Sequence, residues 1–456
     1  MSDVRDQVER AVAAARAALE GWLCSPHARR VEVLTAFAEQ LRRRKADLTE
    51  TISREIGKPR WESATEVDAM INKVALSIRA HEERRRDIRS ESPGVTSATR
   101  YKPHGVLAVL GPFNFPGHLP NGHIVPAVLA GNTVVFKPSE FAPATADVTL
   151  ECWRAAGLPE NVITIAQGGS KVGEALVSHH GIDGVLFTGS FAAGRAINRA
   201  LADHPGKITA LEMGGNNPLV VHKVTDLTAA AYATVQSAYL TAGQRCSCAR
   251  RLILIAGPEC VAFVNALLRM IGRLRVGLYT DDPEPFMGPV INAAAAEKLL
   301  AAQAELVRRN AQPLVELRPL RGILNLLMPG LIDVTDVADR PDEELFGPIL
   351  QLVRVKDFDA AIEEANKTRF GLAAGLLSDD RSLYEQFFRR VKAGVINWNR
   401  PLTGASSSLP FGGIGDSGNH RPGAYFAAEY CSYPVASLES DRLTMPGTLL
   451  PGVELS

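Results

Sequence analysis

From residue 105 onward, short apolar runs ending on Gly, Pro or Ser alternate with longer helical stretches, and this texture limits the fold more than any other feature. The runs are GVLAVLGP (105–112), NTVVFKPS (132–139), NVITIAQGG (161–169), GVLFTGS (184–190) and ITALEMGG (208–215), with helices such as APATADVTLECWRAAG (142–157) between them. Continuous apolar runs suit strands buried on both faces. Strands alternating with helices imply a parallel sheet with helices on both sides. A second series begins near residue 216: LILIA (252–256), a helix over 258–275, PFMGPV (285–290), GILNLLMPGLIDVT (322–335), FGPILQLVRV (346–355) and AGVINWN (393–399). Ahead of both, residues 4–90 read as helical throughout, with apolar residues at three and four spacing as in VEVLTAFAEQL. ESPGVTSATRY (91–101) breaks that pattern as a β-ribbon or loop, and 426–456 reads as a β-strand arm. The fold class is α/β.

A chain of 456 residues exceeds one compact core, so two or three domains are expected. Lys plus Arg number 50, as do Asp plus Glu, and this balance argues against nucleic acid as the main partner. It leaves room for a local basic pocket for an anion. The six cysteines form no CxxC pair, so neither a metal site nor a disulfide scaffold is suggested, and a reducing compartment fits. The first residues read as an acid-bearing amphipathic helix, without the apolar core of a signal peptide, and no run is long enough for a membrane span. The expectation is a cytoplasmic protein.

Several segments carry side chains suited to chemistry. TAGQRCSCARR (241–251) sets Cys246 beside Arg245, and neighbouring positive charge favours the reactive thiolate; two small buried cysteines would look the same. In LEMGGNNP (211–218), Glu212 ends an apolar strand, where open α/β sheets place their sites and where desolvation raises a carboxyl pKa; a loop acid is the plain alternative. Asn114 in GPFNFPG (111–117) is either an oxyanion donor or a turn residue. FTGSFAAG (187–194) is a strand, a glycine turn and a helix start, suited to phosphate or simply an N-capped helix. Lys137 and Glu140 of VVFKPSE grip a ribose or phosphate, or form a surface ion pair. DEELFGP (342–348) places Glu344 and Phe346 before a Gly-Pro turn.

Taken together and in this order, these segments resemble the aldehyde dehydrogenase superfamily. GQRCSCA is similar to its nucleophile motif at Cys246 and LEMGGNNP to its general-base motif at Glu212, 34 residues apart (246 − 212). GPFNFP resembles the oxyanion asparagine segment, and FKPSE the adenosine-ribose grip. FTGSFAAG resembles the pyrophosphate turn, ELFGP the nicotinamide-ribose glutamate, and LPFGGIGDSG (409–418) the closing loop. The likeness runs over about residues 10–435. REIGKPRWESATEVDAMINK, NWNRPLTGASS and GNHRPGAYFAAEYCSYPVASLESD resemble the branch acting on N-succinylglutamate 5-semialdehyde.

The resemblance implies a Rossmann-like cofactor domain over 1–84 and 104–215, without the strands that family members usually carry ahead of the first helix. It implies a second α/β, catalytic domain over 216–425, and a small β oligomerisation ribbon and arm over 85–103 and 426–456. It implies NAD held by Lys137, Glu140, Gly189, Ser190, Phe191, Ala192, Ala193, Gly194, Glu344 and Phe346. Cys246, Glu212 and Asn114 are the implied catalytic residues. A small anionic aldehyde would meet Arg245, Gly404, Ala405, Ser406 and Ser407, with His420 and Arg421 as further candidates, and the chain would pair into a homo-oligomer. A coenzyme A-acylating relative is one alternative, although such enzymes typically lack a glutamate matching Glu212. A phosphate-substrate relative and a non-enzymatic binding protein are others, the last opposed by the intact Cys246, Glu212 and Asn114.

Overall fold

The computed structural model describes residues 2–454. Five parallel strands stand in the order Ile163–Ile165, Thr133–Lys137, Val106–Leu110, Gly184–Gly189, Ile208–Met213. Two of them are buried at every residue. Alternate side chains leave opposite faces of a strand, and here they feed two separate cores. Leu107, Val109, Val134 and Phe136 join one, and Val106, Ala108, Leu110 and Val135 the other. The sheet grows outward in both directions from Val106–Leu110, so the crevice between that strand and Gly184–Gly189 is the switch point where open α/β sheets bind ligands.

The second sheet has seven strands, ordered Gln312–Val315, Gly330–Asp333, Ile349–Val355, Ala249–Ile255, Asn217–Val221, Ala373–Leu377, Val395–Trp398. All pair in parallel except the edge strand Gln312–Val315, which is antiparallel to Gly330–Asp333. The chain crosses between the sheets in a few residues, from Met213 at the end of one strand to Asn217 at the start of another. Glu212 therefore sits at the seam.

The region 4–90, expected to be helical throughout, is four helices, Ser2–Leu23, His27–Arg43, Lys45–Ile56 and Arg60–Arg84, but the first strand already begins at Ile88. Pro26 and Pro59 precede the second and fourth of them, where their missing N–H costs nothing. Gly57 ends the third in a left-handed conformation (φ 82°), with Pro289 so close that a β-carbon would meet its Cγ at 2.6 Å. The ribbon segment is Ile88–Ser92 paired antiparallel with Val95–Pro103, and Ser432–Glu439 adds as a third strand. PFMGPV forms no strand beyond an isolated bridge between Val276 and Met287. Among the described residues no helix is long and apolar enough to cross a membrane, and no three His, Cys, Asp or Glu side chains gather into a metal-binding group.

Candidate active site

Cys246 lies in a tight turn between the helix Leu227–Tyr239 and the buried strand Ala249–Ile255. The turn enters through Thr241 and Ala242, both left-handed (φ 57° and 51°), a conformation that costs about 1–3 kcal/mol per non-glycine residue. Surrounding side chains hold it there. Asn114 Nδ2 donates to Gln244 O at 2.8 Å, and Asn217 Nδ2 donates to Cys246 O and Cys248 O at 2.7 and 2.9 Å. The fully buried Arg250 donates to Gly243 O at 2.6 Å and to Arg245 O at 3.0 Å. With those carbonyls bound from one side, the Cys246 backbone N–H makes no protein hydrogen bond among the described residues. Asn114, buried, keeps one amide hydrogen free of Gln244. Two free donors near a nucleophilic sulfur suit an oxyanion.

Two cavities meet at this turn. The larger, about 700 Å³, lies at the carboxyl ends of the five-stranded sheet, and the smaller, about 260 Å³, lies against the helices Arg60–Arg84 and His118–Ala130. Cys246, Glu212, Asn114, Thr188, Leu119 and Phe411 line both. Glu212 is 6% exposed, with Oε1 accepting from Gly423 N at 3.2 Å and Oε2 without a partner. Burial raises its carboxyl well above the ordinary value, the direction useful for a base.

The electrostatics around Cys246 depart from the sequence expectation. Burial first, then the charges of Glu344 and Glu212, push its thiol up to about 12, opposed only by Arg250. Arg245, its neighbour in sequence, is turned away. Its Nε donates to Thr241 Oγ1 at 2.8 Å and its guanidinium bonds the fully buried Glu62 at 2.6 Å. Adjacent residues in a turn point in different directions, so sequence proximity did not deliver charge to the sulfur.

Lys137, Glu140, Gly189, Ser190, Ala193, Glu344 and Phe346 all line the larger cavity. Phe191, Ala192 and Gly194 do not. The helix Phe191–Ala200 presents Ala193, Ala196, Ile197 and Ala200 to the cavity at helical spacing, which carries the intervening residues elsewhere. Phe191 stacks edge-on against Phe370, and Gly194 lets the helix close on the sheet, since a β-carbon there would lie 2.3 Å from Met213 Sδ. Ser190 caps the helix, accepting from Ala193 N at 3.3 Å. Lys137 pairs with Glu140 at 3.4 Å, Lys137 buried and Glu140 half exposed. A deep crevice at a switch point, an uncovered carboxylate and a helix start in its wall fit a dinucleotide.

Arg245, Ala405, Ser406 and Ser407 line the smaller cavity, and Gly404 stands beside it in sequence without reaching its wall. His420 and Arg421 line a separate surface pocket with Arg85 and His104. Sequence reasoning missed Asn217, although the quoted LEMGGNNP contains it, and missed Lys73, His118, His123 and Tyr430 in the smaller cavity.

Residues 2–434 match the aldehyde dehydrogenase family. The chain is 54% identical over 449 residues to the N-succinylglutamate 5-semialdehyde dehydrogenase of Ectopseudomonas mendocina (strain ymp), covering 98% of this chain and 92% of that protein. Among solved structures it is similar to an NAD-dependent aldehyde dehydrogenase from Sinorhizobium meliloti, at 28% identity and a TM-score of 0.89, covering 98% of this chain and 89% of that one. It is also similar to a glyceraldehyde-3-phosphate dehydrogenase from Methanocaldococcus jannaschii complexed with NADP, at 26% identity and a TM-score of 0.88, covering 96% of this chain and 95% of that one.

Proposed function

The chain belongs to the aldehyde dehydrogenase family, and from that premise we propose that it oxidises N-succinyl-L-glutamate 5-semialdehyde to N-succinyl-L-glutamate in arginine breakdown, with NAD as acceptor. The carrying observation is that Cys246, Glu212 and Asn114 line both cavities at once, so a nucleophile, a base and an oxyanion donor face an aldehyde from one side and a cofactor from the other. The choice of aldehyde follows the 54% identical relative.

Cys246 Sγ bonds the aldehyde carbon as thiolate, its thiol proton having passed to solvent water. The former carbonyl oxygen carries the negative charge between Asn114 Nδ2 and the Cys246 N–H. NAD, when bound, supplies the acceptor for the hydride leaving that carbon. The acyl group remains on Sγ as a thioester. Glu212 takes a proton from the water that attacks the thioester carbon, the carbon–sulfur bond breaks, and Cys246 returns to thiolate as the acid departs. Cys248, buried with Sγ directed at Leu240 O, packs the turn.

Lys137 and Glu140 hold the adenosine ribose, Gly189, Ser190 and Ala193 the pyrophosphate, and Glu344 with Phe346 the nicotinamide ribose. The 405–407 segment meets the substrate's carboxylates, and Arg245, already paired with Glu62, lines the same cavity. Residues 1–84 and 104–215 form the NAD-binding unit and 216–425 the catalytic unit. Residues 85–103 and 426–456 carry self-association, supported by the exposure of Ile88, Val95 and Leu438 on their three-stranded sheet; light scattering at micromolar concentration should find an oligomer, and a monomer would refute this assignment. The cytoplasm is the assigned compartment.

An aldehyde panel with NAD, followed at the NADH absorbance band, tests the substrate. The dianionic semialdehyde should exceed uncharged aldehydes of similar length by at least about tenfold in kcat/KM, the margin of one charge-assisted contact. Equal rates would sink the substrate reading.

A further inference from the structure

The smaller cavity holds a charge that the mechanism leaves unused. Lys73, on the helix Arg60–Arg84, lines its wall with 1% of its surface exposed. Its Nζ donates to Ala424 O at 2.8 Å. The neighbouring cations are matched, Lys58 by Glu66 and Arg245 by Glu62. Among the described residues no carboxylate lies within ion-pair distance of Lys73. An ammonium has three donors and no acceptor, so two are left without a protein partner among the described residues. Burying such a group costs several kcal/mol unless an opposite charge completes it. Burial pulls Lys73 down to about 8, which leaves it protonated at neutral pH. His118 and His123, on the same wall, are held down to about 3 and stay neutral, so they add no competing charge.

We propose that Lys73 is the counter-ion for one carboxylate of the dianionic substrate, and hence a specificity-determining residue of the smaller cavity. The inference rests on the substrate reading above. A cavity wall that carries a desolvated cation favours an aldehyde bearing an anion and disfavours an uncharged one, which leaves the ammonium uncompensated. The same ammonium also steadies Ala424, whose neighbour Gly423 donates to Glu212. A purely structural role through that segment therefore has to be separated from recognition.

Lys73→Gln makes the separation, because its amide still offers a donor to Ala424 O while the charge is gone. Specificity constants are measured on one preparation for N-succinylglutamate 5-semialdehyde and for pentanal. The ratio of the first to the second should fall roughly ten- to hundredfold, mostly through KM for the dianion. Lys73→Met, an apolar replacement that buried ion sites often tolerate, serves if the glutamine variant does not fold. An unchanged ratio, with both constants lowered together, overturns the proposal and leaves Lys73 a support for Ala424. Wild-type protein that prefers the dianion, with a variant that keeps the preference, overturns this proposal alone. Wild-type protein with no preference overturns the substrate reading and this inference with it.

Discussion

The two cavities share Cys246, Glu212 and Asn114 but are made of different material. The larger is built at strand ends: Lys137 closes one strand, Gly189 another, and the helix behind Ser190 begins where its strand stops. Its shape follows from sheet topology, and one or two contiguous residues supply each contact. The smaller is assembled from positions far apart in the chain, among them Glu66, Lys73, His123, Ala405 and Tyr430, with buried charges set against helices. Backbone geometry at a sheet edge suits a cofactor common to many relatives, and distant side chains, each free to change without disturbing a strand, suit the choice of aldehyde, which is the division of labour proposed above.

If this division holds, changes at the shared wall should be drastic for every substrate, and changes within one cavity should be smaller and one-sided. Cys246→Ala should lower turnover by on the order of 10⁴-fold or more for any aldehyde, measured as NADH formed, whereas Cys248→Ala should stay active. Asn114→Ala should cost roughly 10²–10³-fold in kcat, the effect of removing one oxyanion donor; steady-state kinetics showing a change in KM alone would move Asn114 out of that role. Because burial and the charges of Glu344 and Glu212 hold the Cys246 thiol up at about 12, only a small thiolate fraction exists at neutral pH. Its alkylation by iodoacetamide without cofactor should accelerate about tenfold per pH unit from 7 to 9. A rate that levels off in that range would reveal a preformed thiolate. The smallest change belongs to the larger cavity. Glu140→Gln should relax NAD preference over NADP by roughly three- to tenfold, since the half-exposed carboxylate repels a 2′-phosphate through solvent. The aldehyde preference should not move.

The same division explains what was legible in the sequence. Lys137, Glu140 and Ser190 stand at or just past strand ends and Glu344 just ahead of the strand Ile349–Val355. Each sits in a contiguous motif, the resemblance carried by those motifs implies one cofactor site, and all four line the larger cavity. Phe191, Ala192 and Gly194 were carried along with that segment, and the helical period turned them away. Sequence adjacency sets Arg245 beside Cys246, but Glu62, 183 residues distant, claims it. Lys73 closes the stretch REIGKPRWESATEVDAMINK, but nothing in the sequence marks it as a site residue. On a 25-residue helix rich in charge, a lysine looks solvated, and only contacts with the chain near Ala424, 351 residues on, bury it. The region before residue 85 is helical in kind, and its divisions fall at Pro26, Arg44 and Gly57–Pro59, of which the prolines and the glycine are helix-stop signals present in the sequence.

Under the proposed function, Cys246 and Glu212 act in sequence on one carbon at the junction of the two cavities. Glu212→Gln preserves shape and removes the base. This variant, mixed with NAD and N-succinylglutamate 5-semialdehyde, should release about one equivalent of NADH per active site and then nearly stop, as an acyl-enzyme accumulates. Intact-mass spectrometry should find that acyl group on Cys246. Normal steady-state turnover by the variant, or loss of the initial burst itself, would contradict the account.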